Sequence, residues 1–235
     1  MRALGRIVLV ILVIVIAFGC GGKKAGIEGK VVDGKGQPMS GVKIIANQVK
    51  PIKGYEQFET TTSSDGTFRF KGLFPTSEYT ISPWSDKWKT SAKVTVQSGP
   101  QGQTSMLSSP ITIRFTLSND GITDDSRTGL QWAPVFRQHM TWFQANDYSR
   151  TLNLAGGGWR LPTRAELRSI YDKSMPNGAD PVFDINRNLL WTSEARGPNQ
   201  AWYLYFEDTN LYEDARYSDG SYGNSGQVLL VRSRR

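Results

Sequence analysis

Among 235 residues there is one cysteine, Cys20, and one histidine, His139. That pair of counts removes most metal and nucleophile chemistry. It excludes disulfides, Cys/His zinc sites, Cys–His pairs and any Ser–His–Asp set not built on His139. His139 reads as a surface or partly packed residue. Glu166, Asp172 and Glu194 remain as acid or base candidates, but Glu166 follows Thr163 by three positions, the spacing of a helix capping box. Asp124 and Asp125 are adjacent. Calcium takes six to eight oxygens, so two acids fall short, and Asp is a common turn residue. No metal, cofactor or catalytic set is expected.

The residues best suited to contact are of another kind. Arg196, Tyr212, Arg216, Tyr217 and Tyr222 have the amphipathic side chains enriched at binding surfaces. Four of the five lie between 210 and 225, where glycine, asparagine and aspartate predict an exposed loop. The same stretch also reads as a loop that is merely solvated. Trp132, Trp142, Trp159, Trp191 and Trp202 all fall in the same half, and large indoles most simply anchor a core that lacks disulfides.

Cys20 has its own chemistry. Arg2 and Arg6 precede an apolar run from Ile7 to Phe18, the layout of a bacterial secretory signal and too short for a membrane span of about 20 residues. Ala17, Phe18, Gly19 and Cys20 resemble a lipobox. Cleavage before Cys20 leaves a thiol and an amine for acylation, and several acyl chains together anchor stably. The expected layout is a signal over 1–19 and a lipidated tether over 20–26. Gly21 carries no acidic retention signal, so the expected address is the cell envelope, at the outer membrane where there is one, on its periplasmic or surface face.

The elements that must carry these residues fall into two groups. From 27 to 117 the pattern is short strands and turns: 27–33, 42–46, 67–73, 79–81, 92–96 and 111–117, with Asp65 and Gly66 as a turn and 97–109 as a long polar loop. Such spacing predicts an all-β sandwich. Residues 118–123 form the expected linker, and 124–235 the second module. There, Thr141 with Gln144 opens one helix, whose apolar face is Trp142, Ala145, Tyr148 and Leu152. Three glycines at 156–158, then Trp159, Arg160, Leu161, Pro162, Thr163 and Glu166, lead into a second helix from 164 to about 173. Strands are predicted at 128–132, 190–193, 201–206 and 227–232.

Trp159, Arg160, Leu161, Pro162, Thr163, Arg164, Glu166 and Leu167 together resemble the central signature of Lcl C-terminal-like domains. Thr128 to Trp132, Thr141 to Ala145, Leu190 to Ser193, Ala201 to Phe206 and Val228 to Arg232 follow the same pattern in order. The resemblance implies an α+β, C-type-lectin-like fold related to formylglycine-generating, sulfatase-modifying enzymes, and relatives that include glycosaminoglycan-binding adhesins. Members often carry cysteines on the first helix and near the last strand, and this chain has none there. Gly29 to Asp33, Gly41, Val42 and Ser64 to Phe70 resemble carboxypeptidase regulatory-like and Cna-B-like sandwiches, which implies a spacer or stalk.

Formal net charge is +7, unevenly spread: 118–235 holds 13 Lys/Arg against 14 Asp/Glu, and 20–117 holds 13 against 7. No nucleic-acid recognition motif accompanies the basic excess, so nucleic acid is not an expected partner. The expected partners are a membrane, through the N-terminal lipid, and a glycan or surface protein. Oligomerisation stays open. Three functions follow: a lipoprotein that binds an extracellular or envelope ligand, a structural or assembly component of the envelope, and an enzyme related to the sulfatase-modifying factors.

Overall fold

A computed structural model describes residues 24–185, 189–206, 211–217 and 226–234. Cys20 and Tyr222 lie outside the described residues. The first group of strands is β1 (Ala25–Asp33), β2 (Lys43–Gln48), β3 (Gln57–Thr61), β4 (Thr67–Leu73), β5 (Glu78–Trp84), β6 (Trp88–Lys89), β7 (Val94–Gln97), β8 (Thr104–Met106) and β9 (Ile111–Ile113). Then come β10 (Phe115–Ser118), β11 (Thr123–Asp125), β12 (Leu130–Trp132), β13 (Phe136–Met140), α1 (Trp142–Thr151) and α2 (Arg164–Ile170). The chain ends with β14 (Leu189–Ala195), β15 (Gln200–Phe206), β16 (Leu211–Tyr217), β17 (Gly226–Val228) and β18 (Val231–Ser233). The architecture is mostly β, with two short helices.

In the N-terminal module β1 pairs antiparallel with β4 and parallel with β8 and β9, facing a second sheet of order β3-β2-β5-β7. Alternation drives this. Tyr79 and Ile81 of β5 and Ile44 and Ala46 of β2 turn inward and are fully buried, while Glu78 and Asn47 turn out. With Ile27, Phe68, Phe70 and Ile113 they form one core. Each period-2 run therefore buries one face of its sheet and leaves the other to water. Gly66 sits at φ +79°, where a Cβ would stand 2.5 Å from the Val31 carbonyl oxygen. Asp65 closes that turn by accepting from the Thr67 amide and the Ser63 and Thr67 hydroxyls. These hydrogen bonds, those of Ser63 and Thr67 foremost, pull its pKa down to about 2.

The C-terminal module has two five-stranded sheets, ordered β18-β12-β11-β10-β6 and β13-β17-β14-β15-β16. Hairpin β14–β15 is buried on both faces. Leu190, Leu204 and Phe206 pack with Leu167 and Ile170 of α2, whereas Trp191, Ala201 and Tyr203 pack in the core that holds Ala145 of α1. Two-sided burial accounts for its near-continuous apolar run. Both expected capping boxes are present, Thr141 with Gln144 and Thr163 with Glu166. The second helix stops at Ile170, three residues short of expectation, because Tyr171 turns extended.

Several expectations change in space. The loop over 97–109 contains β8, recruited by parallel pairing with β1. The single strand 111–117 is split at Arg114: β9 stays with β1, while β10 joins the second module's sheet. Residues 118–123 are not a free linker but a tight turn between paired β10 and β11, closed by Gly121 N to Ser118 O at 3.0 Å. Asp124 and Asp125 belong to β11 rather than a turn. The strand 227–232 divides between β17 and β18, one in each sheet, with Leu229 and Leu230 buried between them. The modules are thus sewn together. β6 pairs with β10, Gly34 N donates to Ser126 Oγ at 2.8 Å, and Ser91 Oγ donates to Asp180 at 2.5 Å.

Candidate functional site

The expected contact residues do not sit on a loop. Tyr212, Arg216 and Tyr217 are positions of β16, opposite Tyr205, Ala201 and Gln200 of β15. The register places all three along one strand rather than in a turn. Their composition read as a loop, yet tyrosine among polar residues also suits an outer strand.

Arg196 does occupy a built surface. It is exposed in the turn after β14, its amide donates to Gln200 O at 2.7 Å, and its guanidinium lies 5.1 Å from the Trp202 ring centre and 3.8 Å from Asp214. Arg164, the first residue of α2, lies 4.5 Å from the same ring and donates through Nε to Glu194 at 2.5 Å. Trp202 is half-buried and meets two guanidiniums. The support is stiff: the Ser193 amide donates to Pro162 O at 2.7 Å and Thr192 Oγ1 to Trp202 O at 2.9 Å, tying the helix start to the hairpin. Each guanidinium has a carboxylate, so the surface is close to neutral while rich in directional donors and π area.

A second guanidinium–indole pair is buried. Arg232 of β18 lies 4.3 Å over Trp159, and both are almost fully enclosed. Its Nε donates to Gln131 at 2.9 Å, and its Nη1 donates to the carbonyls of Ala155 at 2.9 Å and Gly157 at 2.8 Å. Ala155 and the three glycines at 156–158 all have positive φ, between 45° and 85°. Only glycine enters that region at no steric cost, and the path it permits aims carbonyls inward at Arg232. Trp159 Nε1 closes the arrangement on Leu154 O at 2.9 Å. Arg232 was legible only as an arginine ending an apolar run.

The carboxylates with possible acid–base roles are engaged. Glu166 accepts from Arg160 at 2.6 and 2.8 Å and from the Thr163 amide at 2.8 Å. Partial burial pushes its carboxyl up, but Arg160 and the Thr163 amide outweigh this and hold it below its ordinary value. Asp172 is held low by the Ser174 hydroxyl and amide. Asp125 is buried, which raises its pKa, yet the fork of Arg114 at 2.8 and 3.1 Å brings it down overall. No group of three or more His, Cys, Asp or Glu side chains placed to hold a metal occurs among the described residues. Sequence reasoning missed one further feature, a cleft of about 580 Å³ at the seam of the modules, walled by residues of both.

Comparison with known proteins bears on both halves. No curated protein matches the chain. Similar solved structures include the ancillary pilin of a streptococcus, at 16% identity and TM-score 0.28 over 39% of this chain and 30% of that one. The major pilin SpaD of Corynebacterium diphtheriae aligns at 12% and 0.31 over 90% and 56%, and the Yersinia pseudotuberculosis adhesin InvE at 13% and 0.28 over 88% and 70%. The chain spans 30% to 56% of the length of the two pilins. Two family profiles match in succession: residues 26–108 match the carboxypeptidase regulatory-like domain, and residues 121–232 match the Lcl C-terminal domain.

Proposed function

We propose that this is a lipid-anchored protein of the cell envelope whose C-terminal, lectin-like module binds a glycan or protein ligand, held out by the N-terminal sandwich. The observation that carries the binding role is Trp202 with Arg164 and Arg196: a half-exposed indole, two guanidiniums and a rigid helix–sheet support. Preorganised aromatic and arginine side chains are the usual anchors of a contact surface. A binding role suits this chain better than catalysis, because Glu166, Asp172 and Glu194 are each committed to a structural partner. The lipid anchor rests on the sequence around Cys20.

Trp202→Ala and Arg196→Ala are to be compared with the unaltered protein for binding to intact cells and to a glycan panel. Loss of binding with the melting temperature retained is the expected result, and undiminished binding by both variants refutes the site. Mass spectrometry should find acyl chains on Cys20 of the unaltered protein and none on Cys20→Ser; an unaltered protein without acyl mass refutes the anchor. A structural or assembly role has its own support in the segment 111–118, whose β9 pairs with β1 of the first module and whose β10 pairs with β11 of the second.

A further inference from the structure

The two ends of the N-terminal sandwich carry different things. β1 runs from Ala25 to Asp33, and just past its far end the Gly34 amide donates to Ser126 Oγ of the second module at 2.8 Å. The turns 34–37 and 63–66 stand at that end, since Asp33 N donates to Gln37 O and Val31 N to Gly66 O. At the near end the chain enters through exposed Lys24.

The near end also carries the loop between β2 and β3, and hydrogen bonds trace the connection. Lys24 O accepts from Gly102 N at 2.8 Å, and Gly99 O accepts from Thr76 N at 3.0 Å. Ser77 Oγ accepts from Gln48 Nε2 at 2.7 Å, and Gln48 Oε1 accepts from Ile52 N at 2.8 Å. Gln48 is itself buried, so the loop is held from beneath. Tyr55 N closes it on Ile52 O at 2.9 Å, and Tyr55 packs on Phe74 with ring centres 5.2 Å apart. On this stiff support Val49 and Ile52 are 45% and 37% exposed, and Pro51 between them is exposed too. Two of the five large apolar side chains so exposed among the described residues therefore lie within four positions. The other near-end loops, 74–77 and 98–103, hold no charged residue. Lys24, Lys50, Lys53 and Lys71 stand there against Glu56 and Glu78, a small basic excess. An aliphatic tip flanked by lysines suits the boundary between lipid headgroups and acyl chains, where lysine stems lie along apolar surface and their ammonium heads stay in water.

We propose that the loop 49–55 rests on the bilayer to which the N-terminus is attached, with Val49 and Ile52 at the level where headgroups meet acyl chains. The inference builds on the membrane anchoring proposed above. It turns the far end of β1, and with it the head, away from the membrane.

The test uses the full chain in vesicles of phosphatidylethanolamine and phosphatidylglycerol that also carry a phospholipid with a diazirine in its acyl chain. After illumination, mass spectrometry maps the lipid adducts. They should appear in 49–55 and not in 34–37 or 63–66, and should persist in about 1 M salt. Val49→Asp combined with Ile52→Asp should cut them about tenfold with the melting temperature retained, and Trp202→Ala should leave them unchanged. Absence of adducts from 49–55, with or without adducts nearer the N-terminus, overturns the proposal, as does equal labelling of 34–37. A dimer in detergent that the double Asp variant dissociates assigns the tip to a second copy and overturns it too. Failure of the anchor is read separately, as missing acyl mass on Cys20.

Discussion

Arginine meets tryptophan at two sites among the described residues of the C-terminal module, Trp159 and Trp202, and the two settings differ in what neutralises the charge. Arg232 on Trp159 is enclosed and is satisfied by backbone carbonyls of the glycine loop and by Gln131. Arg164 and Arg196 beside Trp202 are satisfied by carboxylates, Glu194 and Asp214, at the surface. Carbonyls belong to the fold and are lost only when it opens. Carboxylates on exposed side chains exchange readily with a ligand or with water. The same pair of residue types is thus a fastening in one place and a contact surface in the other.

The sharpest break of that comparison is Trp159→Ala. It should destabilise the C-terminal module by about 3–5 kcal/mol, the cost of emptying a large buried aromatic site, read as a lower denaturant midpoint. Next in size is Arg232→Met, which keeps the bulk and removes the donors. Carbonyls left without a donor cost about 1–3 kcal/mol, and amide exchange should quicken in 154–158 before it does elsewhere.

Acid should separate the two settings. Glu166 has a depressed pKa in the folded protein, so the unfolded chain takes up its proton first as pH falls. Its contribution is complete above the ordinary carboxyl value of 4.5 and disappears as pH drops through the lower folded value. As pH falls below 4.5 the capping box at the start of α2, which carries Arg164, should begin to loosen, while Arg232 is held by backbone carbonyls that have no proton to take up. Hydrogen exchange of 164–170 against 154–158 at pH 5 and pH 3 checks this, and Glu166→Gln should remove the pH step. The smallest expected effect on stability is that of Trp202→Ala, within about 1 kcal/mol for a half-exposed side chain. A cost equal to that of Trp159→Ala would show that both indoles are core, and the comparison would collapse.

Local chemistry explains what could be read in advance. The Thr163 and Glu166 capping box, the glycine run before Trp159, the Asp65–Gly66 turn and the alternation of β2 and β5 depend on neighbours within a few residues. They were legible for that reason, as was the Lcl-like order of segments. The edge strand β16 was not, since its polar tyrosines and acids resemble a loop until β15 is beside them.

The sequence by itself determined two modules' worth of strand and helix content, the buried place of Trp132, Trp159 and Trp191 though not the half-buried one of Trp142 and Trp202, and the exclusion of cysteine and histidine chemistry from everything after Cys20 but His139. Only the tertiary structure decided where the strand 111–117 divides, that β6 reaches the second module's sheet, that Arg232 meets the glycine loop some 75 positions earlier, and that the loop 49–55 shares one end of the sandwich with Lys24. The physical reason is that capping, turns and alternation act between near neighbours, whereas strand partners and convergent loops are chosen by closure of a chain whose loop entropy grows only slowly with length.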